Sequence, residues 1–389
     1  MKKLNSWPFF SQEEINKVSQ VLSSNKVNYW TGDECRKFEI EYAALCNTKY
    51  AIALANGTLA LELALKAIDV KYNDEIIVSP RSFVASASCV NVAGAKPIFA
   101  EVDSNIGNIS AKTIKAQITE RTKAVICVHI TGHPCEMDEI LDLCRENKIW
   151  LIEDCSQAHG AKYKKKPVGS IGDIGCFSFC QDKIVTTGGE GGMVVTNNQN
   201  LWEKMWSYKD HGKKFSKMME KNHNYGFRWA HDSIGSNYRM TEMQAAIGRL
   251  QIKKLGQWNQ TRQKNAERII DSLAKFPNLY RIPEVKPYMQ HAWYKLNIFL
   301  KENVLKGIKS VELVNLFIEA GVPCFVGPCP EIYLEESFKK NKAVIRRFPI
   351  AKKLGETSIM FLVHPTLTNE DLNFICSTIE KISKGIKIA

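Results

Sequence analysis

Lys183 follows the apolar run Gly175-Cys176-Phe177-Ser178-Phe179 and precedes Thr186-Thr187-Gly188-Gly189-Glu190-Gly191-Gly192. Most lysines are solvated, but one set between an apolar strand and a glycine turn can offer its amine to a carbonyl as a Schiff base. Upstream, Ile149-Trp150-Leu151-Ile152-Glu153-Asp154 ends a hydrophobic run on a carboxylate, which is costly to bury unpaired. Asp154 therefore either caps the next helix or faces a cationic partner, such as a protonated pyridine nitrogen. A Schiff-base lysine and a pyridinium-facing acid are the minimum set for pyridoxal phosphate (PLP).

Other residues could complete such a site. Asn56-Gly57-Thr58 places a glycine and a hydroxyl at a helix start, where free N–H groups attract an anion; the same residues also read as an ordinary capped helix. Ser178 offers a hydroxyl to a phosphate, and Gln157, just beyond Asp154, an amide to a phenolic ring oxygen. Phe83 either lies flat on a cofactor ring or belongs to the core, as most aromatics do. His159 supports the site or is simply a hydrogen-bonded polar residue. The glycine turn lacks the Lys-Ser/Thr ending of a phosphate loop and the glycine spacing of a dinucleotide site, which disfavours ATP and NAD chemistry.

The elements that must position these residues alternate. Helical patterns cover Ser11 to Leu22, Thr58 to Ile68 and Met137 to Glu146, and apolar runs occupy 75–78, 96–100, 124–128, 149–154 and 175–179. That order predicts an α/β fold: a mainly parallel sheet covered by helices, with ligands at the strands' carboxyl ends. The pattern then changes. A long helix from Met240 to Leu273 leads to Pro283, Pro287 and Pro323, a strand-like His291 to Leu300 and a last helix from Glu370 to Lys384. We expect a large domain over 1–250 and a smaller C-terminal α+β domain over 251–389.

Composition narrows the chemistry. With 44% hydrophobic and 24% charged residues the chain can bury a large core. The 12 cysteines contain no C-x-x-C pair, so they read as reduced and no metal site is expected. The N-terminus lacks a secretory pattern and no apolar run is long enough to span a bilayer, so a cytoplasmic protein without a membrane partner is expected. A net charge of +12 favours anionic ligands, but lysines are spread without interleaved aromatics, which suits nucleotide-linked substrates better than nucleic acid. Lys162 to Pro167 reads as a solvated hairpin turn.

Taken in order, Asn56-Gly57-Thr58, Glu153-Asp154 with Gln157, Phe177-Ser178-Phe179 with Lys183, Gly189-Glu190-Gly191-Gly192 and Gly235-Ser236-Asn237-Tyr238-Arg239-Met240-Thr241 resemble the DegT/StrS nucleotide-sugar aminotransferases, which have the aspartate-aminotransferase fold (fold type I). The likeness runs from Pro8-Phe9-Phe10 to the segment around His364-Pro365. It implies Lys183 as the Schiff-base lysine and proton carrier, Asp154 as the pyridinium partner, Gln157 at the ring hydroxyl and Phe83 stacked on the ring. Gly57, Thr58 and Ser178 would hold the phosphate, with Asn237 reaching in from the second subunit of a homodimer. Tyr29, Trp30, His291 and Tyr333 resemble residues lining the sugar-nucleotide pocket.

The resemblance further implies two half-reactions, in which L-glutamate leaves as 2-oxoglutarate and a nucleotide-linked keto-sugar gains the amine for a surface polysaccharide or glycan. Lysine at 183, where related sugar dehydratases carry histidine, favours amino transfer. Thr186-Thr187 before the glycines is similar to enzymes that aminate a C4 ketone, pointing to a 4-keto-6-deoxyhexose. The loop departs from the family's usual form by an additional glycine and by Cys180-Gln181-Asp182 before the lysine. Two alternatives stand beside this reading: a fold-type-I PLP enzyme acting on a non-nucleotide ketone, and a PLP-binding regulator without turnover.

Overall fold

Short runs rich in β-branched and small apolar residues form the strands of the main sheet. They are β1 (Tyr50–Leu54), β2 (Glu75–Val78), β3 (Lys96–Phe99), β4 (Thr122–Val128), β5 (Trp150–Asp154), β8 (Ile174–Ser178) and β9 (Gly192–Thr196), with the small hairpin β6 (Lys162–Tyr163) and β7 (Lys166–Pro167) between β5 and β8. This computed structural model describes residues 4–220, 227–302, 304, 307–339 and 347–386; the outermost residues of both expected domains, 1–3 and 387–389, lie outside that set.

The seven-stranded sheet has the order β1-β9-β8-β5-β4-β2-β3. β2 pairs in parallel with β3 and β4, β4 with β5, and β5 with β8. β9 runs antiparallel to both β8 and β1, so β1 points the same way as the parallel strands. The carboxyl ends of β1, β2, β4, β5 and β8 therefore share one edge, where an open α/β sheet presents its ligand crevice. This is the mainly parallel, helix-covered sheet that the sequence predicts.

Strand alternation sorts the core into layers. Ile76, Val78, Ala124, Ile126 and Ile152 face helices Gly57–Ala67 and Ala85–Val92. Ile77, Val125, Cys127 and Leu151 face helix Met137–Glu146. At the β1 and β9 end, Ala51, Ala53, Met193 and Val195 pack with Phe38 and Tyr42 of helix Glu34–Leu45. Neither β1 nor this helix was expected from the sequence.

Beyond the main sheet lie β10 (Tyr280–Arg281), β11 (Met289–Gln290), β12 (Leu296–Leu300), β13 (Cys324–Phe325) and β14 (Ser358–Phe361). The second sheet has four strands in the order β10-β12-β14-β13, and its core joins helices Ser310–Glu319 and Asn369–Gly385. β11 instead pairs with β6. Helix Glu242–Ala274, capped by Thr241 and Gln244, contributes Ala245 and Leu255 to the first core and Ala266, Ile269 and Leu273 to the second. The expected division at 250/251 thus falls inside one continuous helix.

One expected strand is shorter than its sequence suggests. His291 to Lys295 is irregular, because the N–H groups of Ala292 and Tyr294 go to Gly132 O (2.9 Å) and Thr131 O (3.1 Å) rather than to the sheet. Trp293 turns the chain with φ of 50°. The Lys162–Pro167 hairpin is present, with Lys164 and Lys165 both at positive φ, as a tight hairpin turn requires.

Candidate active site

The aligned strand ends open onto a cavity of about 740 Å³. At one side, the chain leaves β1 and Asn56 caps helix Gly57–Ala67 by accepting the Leu59 N–H at 2.9 Å. The first N–H groups of that helix have no intrahelical acceptor, and its dipole favours an anion there. The helix start is pressed against the end of β8: a Cβ on Gly57 would lie 2.5 Å from Ser178 Cβ. Gly192 is equally constrained, since its Cβ would stand 2.2 Å from Asn56 O. Glycine at both places brings the Ser178 hydroxyl beside the helix N-terminus.

Asp154, at the end of β5, is 4% exposed. Its Oδ2 accepts from Ser86 Oγ at 2.7 Å and its Oδ1 from the Ser156 N–H at 3.1 Å; Ser86 in turn is 2.9 Å from Ser82 Oγ. Among the described residues no Lys, Arg or His forms an ion pair with this carboxylate. A buried anion held by neutral donors, with lone pairs to spare, suits a cationic ring nitrogen.

Gln157 Oε1 accepts the Thr131 N–H at 2.7 Å, which leaves the amide NH₂ as the free donor in the cavity wall. Phe83 also lines the cavity and is 67% exposed, so it is not a core residue.

Lys183 completes the wall. Its Nζ stands 3.1 Å from Asp182 Oδ1 and 3.4 Å from Tyr294 Oη. Tyr294 donates its hydroxyl to Asp182 Oδ2. Burial raises the Asp182 carboxyl, but Lys183, the Tyr294 hydroxyl and Lys295 outweigh it and hold the group below its usual range. The main chain of Lys183 is fixed by its own N–H to Cys180 O at 3.0 Å and by Trp7 Nε1 to Lys183 O at 2.8 Å.

Two buried histidines steady this framework. The Tyr42 hydroxyl donates to His159 Nδ1 at 2.8 Å and Nε2–H donates to Ser178 O at 2.9 Å; burial pushes His159 down to about 3, keeping it neutral. His159 is therefore a satisfied polar residue that anchors the Ser178 backbone. Glu153 accepts the N–H groups of Gly169, Ile171 and Gly172 at 2.6–2.8 Å and meets His129 Nε2 at 3.1 Å. Glu153, His129 and Cys155 cluster closely enough to ligate a metal. His129 Nδ1 already accepts the Cys135 N–H at 3.0 Å, so the cluster reads as a hydrogen-bonded support.

Of the residues singled out in the sequence, Gly57, Thr58, Phe83, Asp154, Gln157, Ser178 and Lys183 all line this one cavity. Asn237 does not: it is exposed, paired with Asp210 in an isolated bridge. Tyr29, Trp30, His291 and Tyr333, expected at a sugar-nucleotide pocket, do not line this cavity either. Tyr29 is 3% exposed, with its hydroxyl 3.1 Å from Glu39 Oε2 and Lys209 Nζ 3.7 Å from its ring centroid. Trp30 packs on the adjacent core with Lys213 over its ring.

His291 is stacked on Trp293 at 4.1 Å and accepts the Trp293 N–H at 2.7 Å. Tyr333 is buried between Phe99 and Phe348, donating to Glu331. Tyr29, His291 and Tyr333 thus have a polar atom hydrogen-bonded inside the chain, whereas Trp30 Nε1 is buried without a partner among the described residues. Conversely, sequence reading missed Ser82, Ser86, Thr131, Asp182, Tyr294 and Lys295. Ser82 and Ser86 flank Phe83 in a small-residue run, a usable local signal; Tyr294 and Lys295 arrive from a remote segment with none.

The family model of the DegT/DnrJ/EryC1/StrS aminotransferase family matches residues 8–380. A GDP-perosamine synthase of Escherichia coli O157:H7 is 32% identical over 375 residues, 96% of each chain. A UDP-N-acetyl-3-dehydro-alpha-D-glucosamine 3-aminotransferase of Acidithiobacillus ferrooxidans is 32% identical over 96% of this chain and 94% of that one. The crystal structure of an aminotransferase from Psychrobacter cryohalolentis superposes with a TM-score of 0.97 at 48% identity, covering 98% of this chain and 99% of the other.

Proposed function

The chain belongs to the DegT/DnrJ/EryC1/StrS family of PLP-dependent sugar aminotransferases, and we propose that it moves the amino group of L-glutamate to a nucleotide-linked 4-keto-6-deoxyhexose for polysaccharide biosynthesis. The observation that carries the reading is the convergence on one cavity of Lys183, a cation-free buried Asp154 and a glycine-started helix N-terminus. The retained Lys183 and Asp154 weigh against a regulator without turnover, and the sugar-aminotransferase relatives weigh against a non-nucleotide ketone.

PLP, when bound, supplies an electron sink for charge developing at the donor's α-carbon. Asp154 would face the ring nitrogen and favour its protonated form, and Ser86 Oγ and the Ser156 N–H hold the Asp154 carboxylate in orientation. The Gln157 NH₂ would donate to the ring oxygen and Phe83 would cover the ring face. The Gly57 and Thr58 N–H groups with the Ser178 hydroxyl would take the phosphate. Lys183 Nζ would tie the cofactor to the chain and, once freed from it, act as the base for the donor's α-proton, with Asp182 and the Tyr294 hydroxyl flanking it.

The same reading takes residues 251–389 as a smaller lobe carrying Tyr294 and Lys295 to the cavity, and the protein as a homodimer whose partner brings its own Asn237 to the phosphate. Amination at C4 is supported by Thr186-Thr187 and by the perosamine-synthase relative. The Acidithiobacillus relative, named for a 3-amino transfer, favours a second reading in which the ketone is at C3. Incubation of the PLP-loaded protein with L-glutamate and UDP-, dTDP- or GDP-linked 4-keto-6-deoxy and 3-keto sugars, following 2-oxoglutarate release, tests both. Turnover confined to a 3-keto sugar selects the second reading, and no turnover with any nucleotide sugar removes both.

A further inference from the structure

Lys295 lines the same cavity as Lys183, and none of the cofactor contacts above uses it. Its side chain is 15% exposed. The ammonium lies 4.8 Å from the Tyr294 ring centroid and 5.1 Å from that of Phe325, contacts that fix its place but replace water only in part. Among the described residues its carboxylate neighbour is Asp182, with Oδ2 at 3.5 Å. That carboxylate is already claimed, by Lys183 on Oδ1 and by the Tyr294 hydroxyl on Oδ2.

While Lys183 is a free amine, two amines share the Asp182 carboxylate, so Lys295 keeps one long ionic contact and, among the described residues, no carboxylate of its own. An ammonium has three donors, and a largely buried one with a single long contact is under-satisfied. On the Phe325 side, Gly327, Pro328, Cys329 and Met360 carry no charge of their own; the buried Arg81 guanidinium behind Gly327 is turned to Ile106 O and Ser358 Oγ. Burial holds the Lys295 amine below its usual range against the pull of Asp182, so an incoming anion would favour its charged form.

We infer that Lys295 is the cation that receives a carboxylate of the amino donor. The inference rests on the proposed donor, L-glutamate. A sugar diphosphate offers similar anionic oxygens, but proximity separates the two. The donor's α-carbon must reach Lys183 Nζ to give up its proton, and its carboxylate is bonded to that same carbon. In a nucleotide sugar the diphosphate is separated from the reacting ketone by the pyranose ring. A cation that shares Asp182 with Lys183 is therefore placed for the amino acid.

The test uses PLP-loaded wild type, Lys295→Met and Lys295→Arg. L-glutamate is titrated while the visible absorbance of the bound cofactor is followed, and UDP, dTDP and GDP binding is measured by calorimetry. Lys295→Met should raise half-saturating L-glutamate by about ten- to a hundredfold, the loss expected for one charge-assisted hydrogen bond. Nucleotide affinity and melting temperature should stay near wild type, and Lys295→Arg should recover most of the glutamate affinity.

Unchanged glutamate titration in Lys295→Met, with wild type responding, overturns the inference alone. So does a loss confined to the nucleotides, which assigns Lys295 to the diphosphate, or an equal loss in both with a lowered melting temperature. If wild type itself fails to respond to L-glutamate, the proposed donor falls and the inference falls with it.

Discussion

Gly57→Ala is the smallest change that probes how the phosphate end of the cavity is built. The new methyl would stand 2.5 Å from Ser178 Cβ and 3.0 Å from Ser178 Cα and Oγ, against a comfortable carbon–carbon contact of about 3.5 Å. Helix Gly57–Ala67 or the end of β8 must therefore yield by about 1 Å, the difference between those distances. Forced overpacking of this kind costs about 1–3 kcal/mol. The same shift moves the helix N–H groups away from the phosphate, and losing one charge-assisted hydrogen bond weakens binding about ten- to a hundredfold.

A PLP titration of the apo protein with thermal melts checks both effects. Gly256→Ala is the control: a Cβ there meets nothing within 4 Å, on an exposed position of helix Glu242–Ala274. It should gain about 0.8–1 kcal/mol from helix propensity and leave PLP affinity alone. Wild-type PLP affinity and stability in Gly57→Ala would refute the reasoning that the helix start and Ser178 form one tight cradle.

Three further outcomes follow from the geometry. Asp154→Asn should still bind PLP but lose amino transfer on the order of 10²-fold or more, as when a preorganised electrostatic partner is removed; near-normal rates would sink the pyridinium role. Mixing inactive Lys183→Ala and Asn237→Ala proteins under exchanging conditions should restore activity that neither has alone, whereas no recovery would place Asn237 outside the neighbouring site.

Acid should destabilise the fold, because burial lowers His159 to about 3 and His364 to about 4 from the ordinary 6.5. The unfolded chain then takes up protons first, so stability falls below about pH 6.5 by on the order of 1.4 kcal/mol per pH unit for each such histidine. A melting temperature that is flat or rising from about pH 7 to about pH 5 would contradict this sign.

The parts legible in the sequence are those with a local signature. An acid at the end of an apolar run, a lysine before a glycine turn and a glycine opening a helix are each readable within a few residues, and topology brings them together because parallel strands end at one edge. Phe83 was ambiguous until its exposure was known. What was not legible depends on remote partners. Nothing beside Tyr29 or Tyr333 in the sequence shows that Glu39 and Glu331 engage their hydroxyls. The strand expected from His291 starts only at Leu296 because Thr131 and Gly132 capture its backbone. That capture sets Tyr294 and Lys295 at the cavity.

The central claim is that Lys183 carries the cofactor. Borohydride reduction of the PLP-loaded protein, followed by digestion and peptide mapping, should place the pyridoxyl group on the peptide containing Lys183 and leave Lys295 unlabelled. Label on Lys295 or any other side chain, or no label at all, would contradict the account.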